Sequence, residues 1–354
     1  MIRKRKASND QAASGLISPS ARKILGPILQ SVATVVLVAW ILWRNDAGAV
    51  VGKLQHLDLS WLLVGICLLV VSVGMGAIQW ERLLFAQGLS IPGPRLLRAY
   101  SLGMFLNFVL PSGVGGDVVR AVQVHRDTKG GAKGVAATLL DRFAGLFTLA
   151  LFAALASALL AMHHTDPLFR KLAVVTGFVA FSFCVTSVVL FSRRVIGWIA
   201  PVSRLFGEGA LLDNARNLRS AFLEYRAHPA LVAQVVALSV VTQFLRILVH
   251  YFCAKAMGLP LDLAWILLFV PIVALISVLP ISVGGWGLRE GTQKTFFSLP
   301  GVMPGLSAHD AASGALALAV STSLLGMLVP AVVSVLVSFF FAPDAASAAA
   351  RRDS

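Results

Sequence analysis

Polar and apolar positions along the chain fall into long blocks, not into the short alternations of a soluble fold. Apolar runs cover residues 24–43, 60–80, 134–161, 172–192, 230–252 and 311–341. At 1.5 Å per helical residue, about 20 such residues cross a hydrocarbon core of about 30 Å, so each run predicts a transmembrane helix. Two shorter runs, 99–110 and 263–279, end at a proline followed by clustered glycines. The first is far too short to cross. The pattern predicts an all-α polytopic membrane protein with about six full spans and two re-entrant hairpins.

The two short runs end in the same words. Leu110-Pro111-Ser112-Gly113-Val114-Gly115-Gly116-Asp117-Val118-Val119-Arg120 is matched, 169 residues on, by Leu279-Pro280-Ile281-Ser282-Val283-Gly284-Gly285-Trp286-Gly287-Leu288-Arg289. Both read L-P-x-x-V-G-G-x-x-x-R. Gly/Pro-broken apolar segments at corresponding places in two halves are the sequence mark of a transporter-like binding site. The same offset pairs Asp141 with Asp310 and Gly145 with Gly314, which extends the expected repeat into the following helix.

Charge orients these elements. Lys and Arg total 30 against 16 Asp and Glu, for a net +14, and only 13% of residues are charged. The basic residues sit mainly beside apolar spans, where they read as topology signals and contacts to anionic lipid, not as a nucleic-acid surface. Arg120, Arg126, Lys129 and Lys133 would be external if the run at 99–110 crossed. The positive-inside rule therefore makes it a hairpin dipping in from the cytoplasm, while the second enters from outside. An inverted repeat follows: first half 60–192, connector 193–229, second half 230–341. The flanking tails, 1–23 and 342–354, are expected to be cytoplasmic, in a multi-pass protein of the cell's inner membrane. In the connector, Leu211, Leu212, Ala215, Leu218 and Phe222 predict an amphipathic helix lying on the membrane. Pro92-Gly93-Pro94 is expected to break any helix there.

The motif residues suggest chemistry. Pro111 and Pro280 remove a backbone donor, and Gly115, Gly116, Gly284 and Gly285 permit a tight reversal. A helix starting just after them would present free N–H groups to an anion. Arg120 and Arg289, a turn further on, offer forks suited to phosphate. A plainer reading is that the glycines only let hairpin tips pack and the arginines snorkel to an interface. Asp117 is a partner for Arg120, and Glu290 for Arg289. Asp141, Arg142 and Arg246 are ionisable residues inside apolar runs and join the lipid-binding candidates, with Gln243 and His250 on the face of Arg246. Asp141-Arg142 reads equally as an interfacial pair near its helix start. Cys67, Cys184 and Cys253 read as small core residues, and His163-His164 as a loop, so no metal or cofactor is expected. Without a nucleotide-binding or hydrolase motif, the expectation is no enzyme, and any transport runs downhill or on an ion gradient.

Phe105-Leu106-Asn107 through Arg120, then Asp141-Arg142, and Leu279-Pro280 through Gly291 resemble the flippase-like transmembrane family, whose best-known module is the membrane half of lysylphosphatidylglycerol synthase. The resemblance runs from about Leu59 to Phe341. It implies movement of a lipid between leaflets, through a cavity between the hairpins. No soluble aminoacyl-transferase domain follows the spans, so the chain is not expected to make a lysyl-lipid. The resemblance points equally to glycolipid, polyprenyl-phosphate or hopanoid lipids. The expected partner is thus a membrane lipid, anionic or phosphate-bearing, alongside lipid-biosynthesis enzymes. The alternative is a membrane enzyme or accessory subunit of a lipid or glycolipid pathway, with Asp117 and Asp141 as acid/base or ion-binding groups.

Overall fold

The computed structural model describes residue 52 and residues 57–110, 114–163, 166–191, 210–279 and 281–341. The expected span at 24–43, both tails, Pro111, Pro280 and His164 lie outside them. The described residues form ten α-helices: α1 Leu59–Ala86, α2 Gly93–Val109, α3 Gly115–Thr128, α4 Gly131–His163, α5 Pro167–Phe191, α6 Ala210–Glu224, α7 Pro229–Ala256, α8 Leu263–Ser277, α9 Leu288–Phe297 and α10 Ala308–Phe340. The protein is an all-α polytopic membrane protein. Five of these helices are long and apolar enough to span a membrane, namely α1, α4, α5, α7 and α10.

Helix starts follow local chemistry. Asp58 caps α1 by accepting from the Ser60 N–H at 2.9 Å, and Ser307 caps α10 through the Asp310 N–H. The Pro92-Gly93-Pro94 break proves to be a helix start instead: α2 begins at Gly93 with Pro94 in its first turn. A proline there gives up only an N–H that the helix leaves unpaired anyway.

Helix lengths repeat in order. Helices α1 and α7 are each 28 residues, α2 and α8 are 17 and 15, α3 and α9 are 14 and 10, and α4 and α10 are each 33. The α1 and α7 helices end alike, at Gly88 (φ +72°) and Gly258 (φ +64°). The N–H groups of Leu89 and Leu259 then bond back to the carbonyls of Leu84 and Ala254, each at 3.0 Å. These two helices pack antiparallel. At one end the Asp58 N–H donates to the Ala256 carbonyl at 2.8 Å; at the other the Tyr225 hydroxyl donates to the Leu83 carbonyl at 3.0 Å. The short helices are exchanged between halves, α2 lying on α10 and α8 on α4.

One correction follows from this frame. Asp310 is exposed in the first turn of α10, whereas Asp141 is buried well inside α4. They are not equivalents, because only Lys129 and Gly130 separate α3 from α4 while residues 298–307 separate α9 from α10. A gapless offset cannot pass that difference.

Two apolar cores fill the bundle. One gathers Trp80, Leu83, Leu84 and Tyr100, the other Ile266, Phe269 and Phe297. Outside, large apolar side chains such as Val174, Phe178, Phe181 and Val188 on α5 and Phe339 on α10 are exposed, as hydrocarbon contact requires. For the same reason two of the cysteines are not core residues. Cys67 and Cys184 lie exposed, and only Cys253 is buried. The amphipathic helix α6 exists, but its C-terminal part docks on protein: Gln87 donates to the Ala221 carbonyl at 2.8 Å, and Lys133 lies 3.1 Å from Glu224.

Candidate functional site

Where α2 and α3 cross, the backbones almost touch. A β-carbon at Gly116 would sit 1.8 Å from the Gly103 carbonyl oxygen, and one at Gly103 would sit 2.6 Å from Arg120 Cγ and Cδ. Only glycines allow this approach, and it sends Arg120 inward between two rings. Its guanidinium carbon lies 4.3 Å from the centre of the Trp80 ring and 4.4 Å from that of Tyr100. Arg120 Nη2 donates to Asp141 Oδ2 at 2.8 Å, and Nη1 lies 3.4 Å from Asp117 Oδ1. The side chain is 5% exposed. Arg120 is thus a buried cation compensated by two carboxylates and two aromatic faces.

The carboxylates are saturated in turn. Asp141 Oδ1 accepts from Gln79 Nε2 at 2.9 Å. Asp117 Oδ2 accepts from Arg142, and Asp117 Oδ1 also from Asn107 Nδ2 at 3.4 Å. Arg142, Asp117, Arg120 and Asp141 form one continuous network across α3 and α4. Both Asp141 and Arg142 face the cavity.

At the start of each hairpin helix one backbone N–H is already taken. The Gly116 N–H donates to Asn107 Oδ1 at 2.9 Å. The Gly287 N–H donates to Glu290 Oε2 at 2.6 Å, and Glu290 Oε1 accepts from the Ser323 hydroxyl at 2.5 Å. The protein's own side chains thus occupy part of each helix start where an anion was expected. Glu290 lies beyond ion-pair distance of Arg289; its carboxylate accepts from the Gly287 N–H and ties α9 to α10.

The hairpin tips meet at Phe108. Gly284 packs against its backbone, Trp286 approaches its ring edge-on at 6.5 Å, and the Arg289 guanidinium carbon stands 4.7 Å from its ring centre. Beside this junction lies a cavity of about 330 Å³, within the size range of small-ligand sites. Arg120, Arg142, Arg246 and Arg289 line it with Asp117, Asp141, Gln243 and His250. Gly115, Gly116, Gly284, Gly285 and Glu290, all expected to bind lipid, are not among its lining residues. Arg246 Nη2 donates to the Tyr100 hydroxyl at 3.3 Å and reaches Met104 Sδ at 3.6 Å. Its Nε and the Thr242 hydroxyl are buried without a partner. No carboxylate among the described residues lies within ion-pair distance of Arg246 or Arg289.

The spacing of Gln243, Arg246 and His250 on one helical face foretold this wall. Gln79, Trp80, Tyr100 and Thr242 were missed, being single polar or aromatic residues in apolar runs. Asn107 was the one with a signal, standing four residues before Pro111. No group of three metal-binding side chains occurs among the described residues.

The sequence profile of the lysylphosphatidylglycerol synthase transmembrane region matches residues 27–329. The chain belongs to this family. Similar curated proteins include a UPF0104 membrane protein of Pyrococcus horikoshii, 23% identical over 294 residues, covering 77% of this chain and 87% of the relative. Another, from Methanothermobacter thermautotrophicus, is 24% identical over 298 residues, covering 80% of this chain and 88% of its own. Both are described as membrane proteins and nothing more. Family membership thus covers the helical bundle and its cavity together.

Proposed function

We propose that this protein moves a phosphate-bearing lipid between the leaflets of the cell's inner membrane, its headgroup passing through the cavity between the hairpins. The observation that carries this reading is the pair Arg246 and Arg289. Both line the cavity, and among the described residues neither has a carboxylate within ion-pair distance. A guanidinium in a partly desolvated wall is well matched to a phosphate oxygen pair. The cavity holds a headgroup, while the acyl chains stay in the bilayer beside the exposed apolar faces.

The antiparallel contact of α1 with α7 supports an inverted repeat. Two equivalent helices that run in opposite directions are related by an axis in the membrane plane. Arg95, Arg98, Arg126 and Lys129 cluster near the α2 start and α3 end, which supports a cytoplasmic position for the first hairpin and for both tails. Arg120 takes a different role from the one its motif suggested. It holds the network together, and the headgroup meets Arg246 and Arg289. A membrane-enzyme reading gains little here, since all four oxygens of Asp117 and Asp141 are engaged and neither is placed as a free base.

Purified protein in liposomes should accelerate transbilayer movement of tail-labelled phosphatidylglycerol, read by loss of fluorescence to an impermeant quencher. Arg246→Ala and Arg289→Ala should slow it. Rates equal to protein-free liposomes across anionic lipids would remove the reading.

A further inference from the structure

We infer that the cavity selects a net-anionic, hydroxyl-bearing headgroup and rejects one that carries a free amine, with Arg142 setting this preference by occupying Asp117. The inference rests on the lipid-moving role proposed above and deepens it.

The charges facing the cavity are four arginines and two aspartates. An incoming ammonium is best met by a carboxylate, and among the described residues lining the cavity both carboxylates are already engaged. Asp141 is held by Arg120 and Gln79, and Asp117 by Arg142, Arg120 and Asn107. Glu290, behind the second hairpin, spends both oxygens on Gly287 and Ser323. An amine entering here would shed water and then face Arg246 and Arg289 with only neutral oxygens, and no open carboxylate, to offset the cost. Rejection by an uncompensated like charge is as much a specificity device as a new attraction. A phosphodiester meets the opposite situation. It finds two arginines without carboxylates, plus the buried Arg246 Nε and Thr242 hydroxyl, both without a partner. Those two groups suit uncharged hydroxyls of a glycerol or sugar. The lysyl-bearing lipid after which the family is named is, by this accounting, a poor ligand for this chain.

Arg142 is the residue that can change the outcome. Its side chain is 25% exposed, against 5% for Arg120, so it is the accessible clamp on Asp117. Replacing it by glutamine opens Asp117 Oδ2 to an amine and removes one cation.

The test uses the full chain in liposomes with tail-labelled phosphatidylglycerol, phosphatidylethanolamine and lysyl-phosphatidylglycerol. Wild type should move the first at least about tenfold faster than the other two, a ratio worth about 1.4 kcal/mol. Arg142→Gln should narrow the ratio by raising the amine rates, whereas Arg142→Lys should keep it. A second measurement needs no variant: short-chain phosphatidylglycerol should raise the thermal midpoint of the detergent-solubilised protein, and short-chain lysyl-phosphatidylglycerol should not. Soluble glycerol phosphate should stabilise less than the lipid; equal stabilisation would overturn a lipid site in favour of a soluble polyol phosphate. Equal movement of amine and anionic lipids by wild type overturns the selectivity while leaving lipid movement intact. Movement of no lipid at all, with no stabilisation, overturns both, and so tells the two failures apart.

Discussion

Gly284 lies so close to Phe108 that a β-carbon on the glycine would stand 2.2 Å from the Phe108 carbonyl oxygen. The two residues belong to different hairpins, and their contact fixes the distance between the halves at the cavity. Gly284 also has φ +57°, in the left-handed region. Alanine there incurs backbone strain of about 1–2 kcal/mol and must also push the hairpins apart. Gly258 is a built-in control, with φ +64° and nothing within 4 Å of its would-be β-carbon. Gly284→Ala should therefore lower the thermal midpoint in detergent clearly more than Gly258→Ala, and should also slow lipid movement. Equal effects of the two would mean that the contact between hairpins contributes nothing.

Arg120 gives the second prediction. Removing one member of a buried ion pair strands the other at a cost of about 3–5 kcal/mol. Arg120→Ala leaves Asp141 with Gln79 alone, so severe destabilisation is expected, read by detergent unfolding and by yield. The double variant Arg120→Met with Asp141→Leu should recover a large part of that loss, because two apolar side chains need no compensation. If the double variant is as unstable as the sum of the singles, the pair is not coupled and the network picture fails.

The motif and the spans were legible in the sequence because apolar length and Gly/Pro interruption are local signals. The repeated motif was readable from the match of residues 110–120 with residues 279–289. The division of labour between the two motif arginines was not legible. Arg120 and Arg289 hold the same place in the same pattern, yet one is enclosed by Trp80, Tyr100, Asp117 and Asp141 and the other stands over Phe108. For Arg120 that difference is made mainly by residues 20 or more positions away, Trp80 on α1, Tyr100 on α2 and Asp141 on α4. The helix starts hold a nearer surprise: Asn107 and Glu290 each return to take one N–H there, and a polar side chain within reach of an open N–H will normally take it. Asp310 failed as the mate of Asp141 because the second half carries a longer connection before its last helix.

Arg246 and Arg289 should behave differently from Arg120. Neither holds a carboxylate, so Arg246→Ala and Arg289→Ala should leave the thermal midpoint near wild type. Each should weaken phosphatidylglycerol binding by about 1.5–3 kcal/mol, the worth of a hydrogen bond to a charged group. Arg289→Lys keeps the charge but loses the planar fork, and should retain part of the binding. Lipid titration by native mass spectrometry, beside an unfolding curve for each variant, measures both quantities. Strong destabilisation without loss of binding would transfer these arginines to the structural class.

Orientation provides the last prediction. If the halves are inverted, the C-terminal end of α3 and the exposed face of α9 lie on opposite sides of the membrane. Arg126 and Thr295 are exposed at these two places. In a background with Cys67, Cys184 and Cys253 replaced by alanine, Arg126→Cys should react with an impermeant maleimide only after the cytoplasmic face is opened. Thr295→Cys should react in intact cells. The antiparallel packing of α1 on α7, two helices of matching length with matching ends, is the observation that motivates this expectation. Labelling of both cysteines from one side would require the helix pairing to be accidental, and would remove the two-sided access to the cavity on which lipid movement depends.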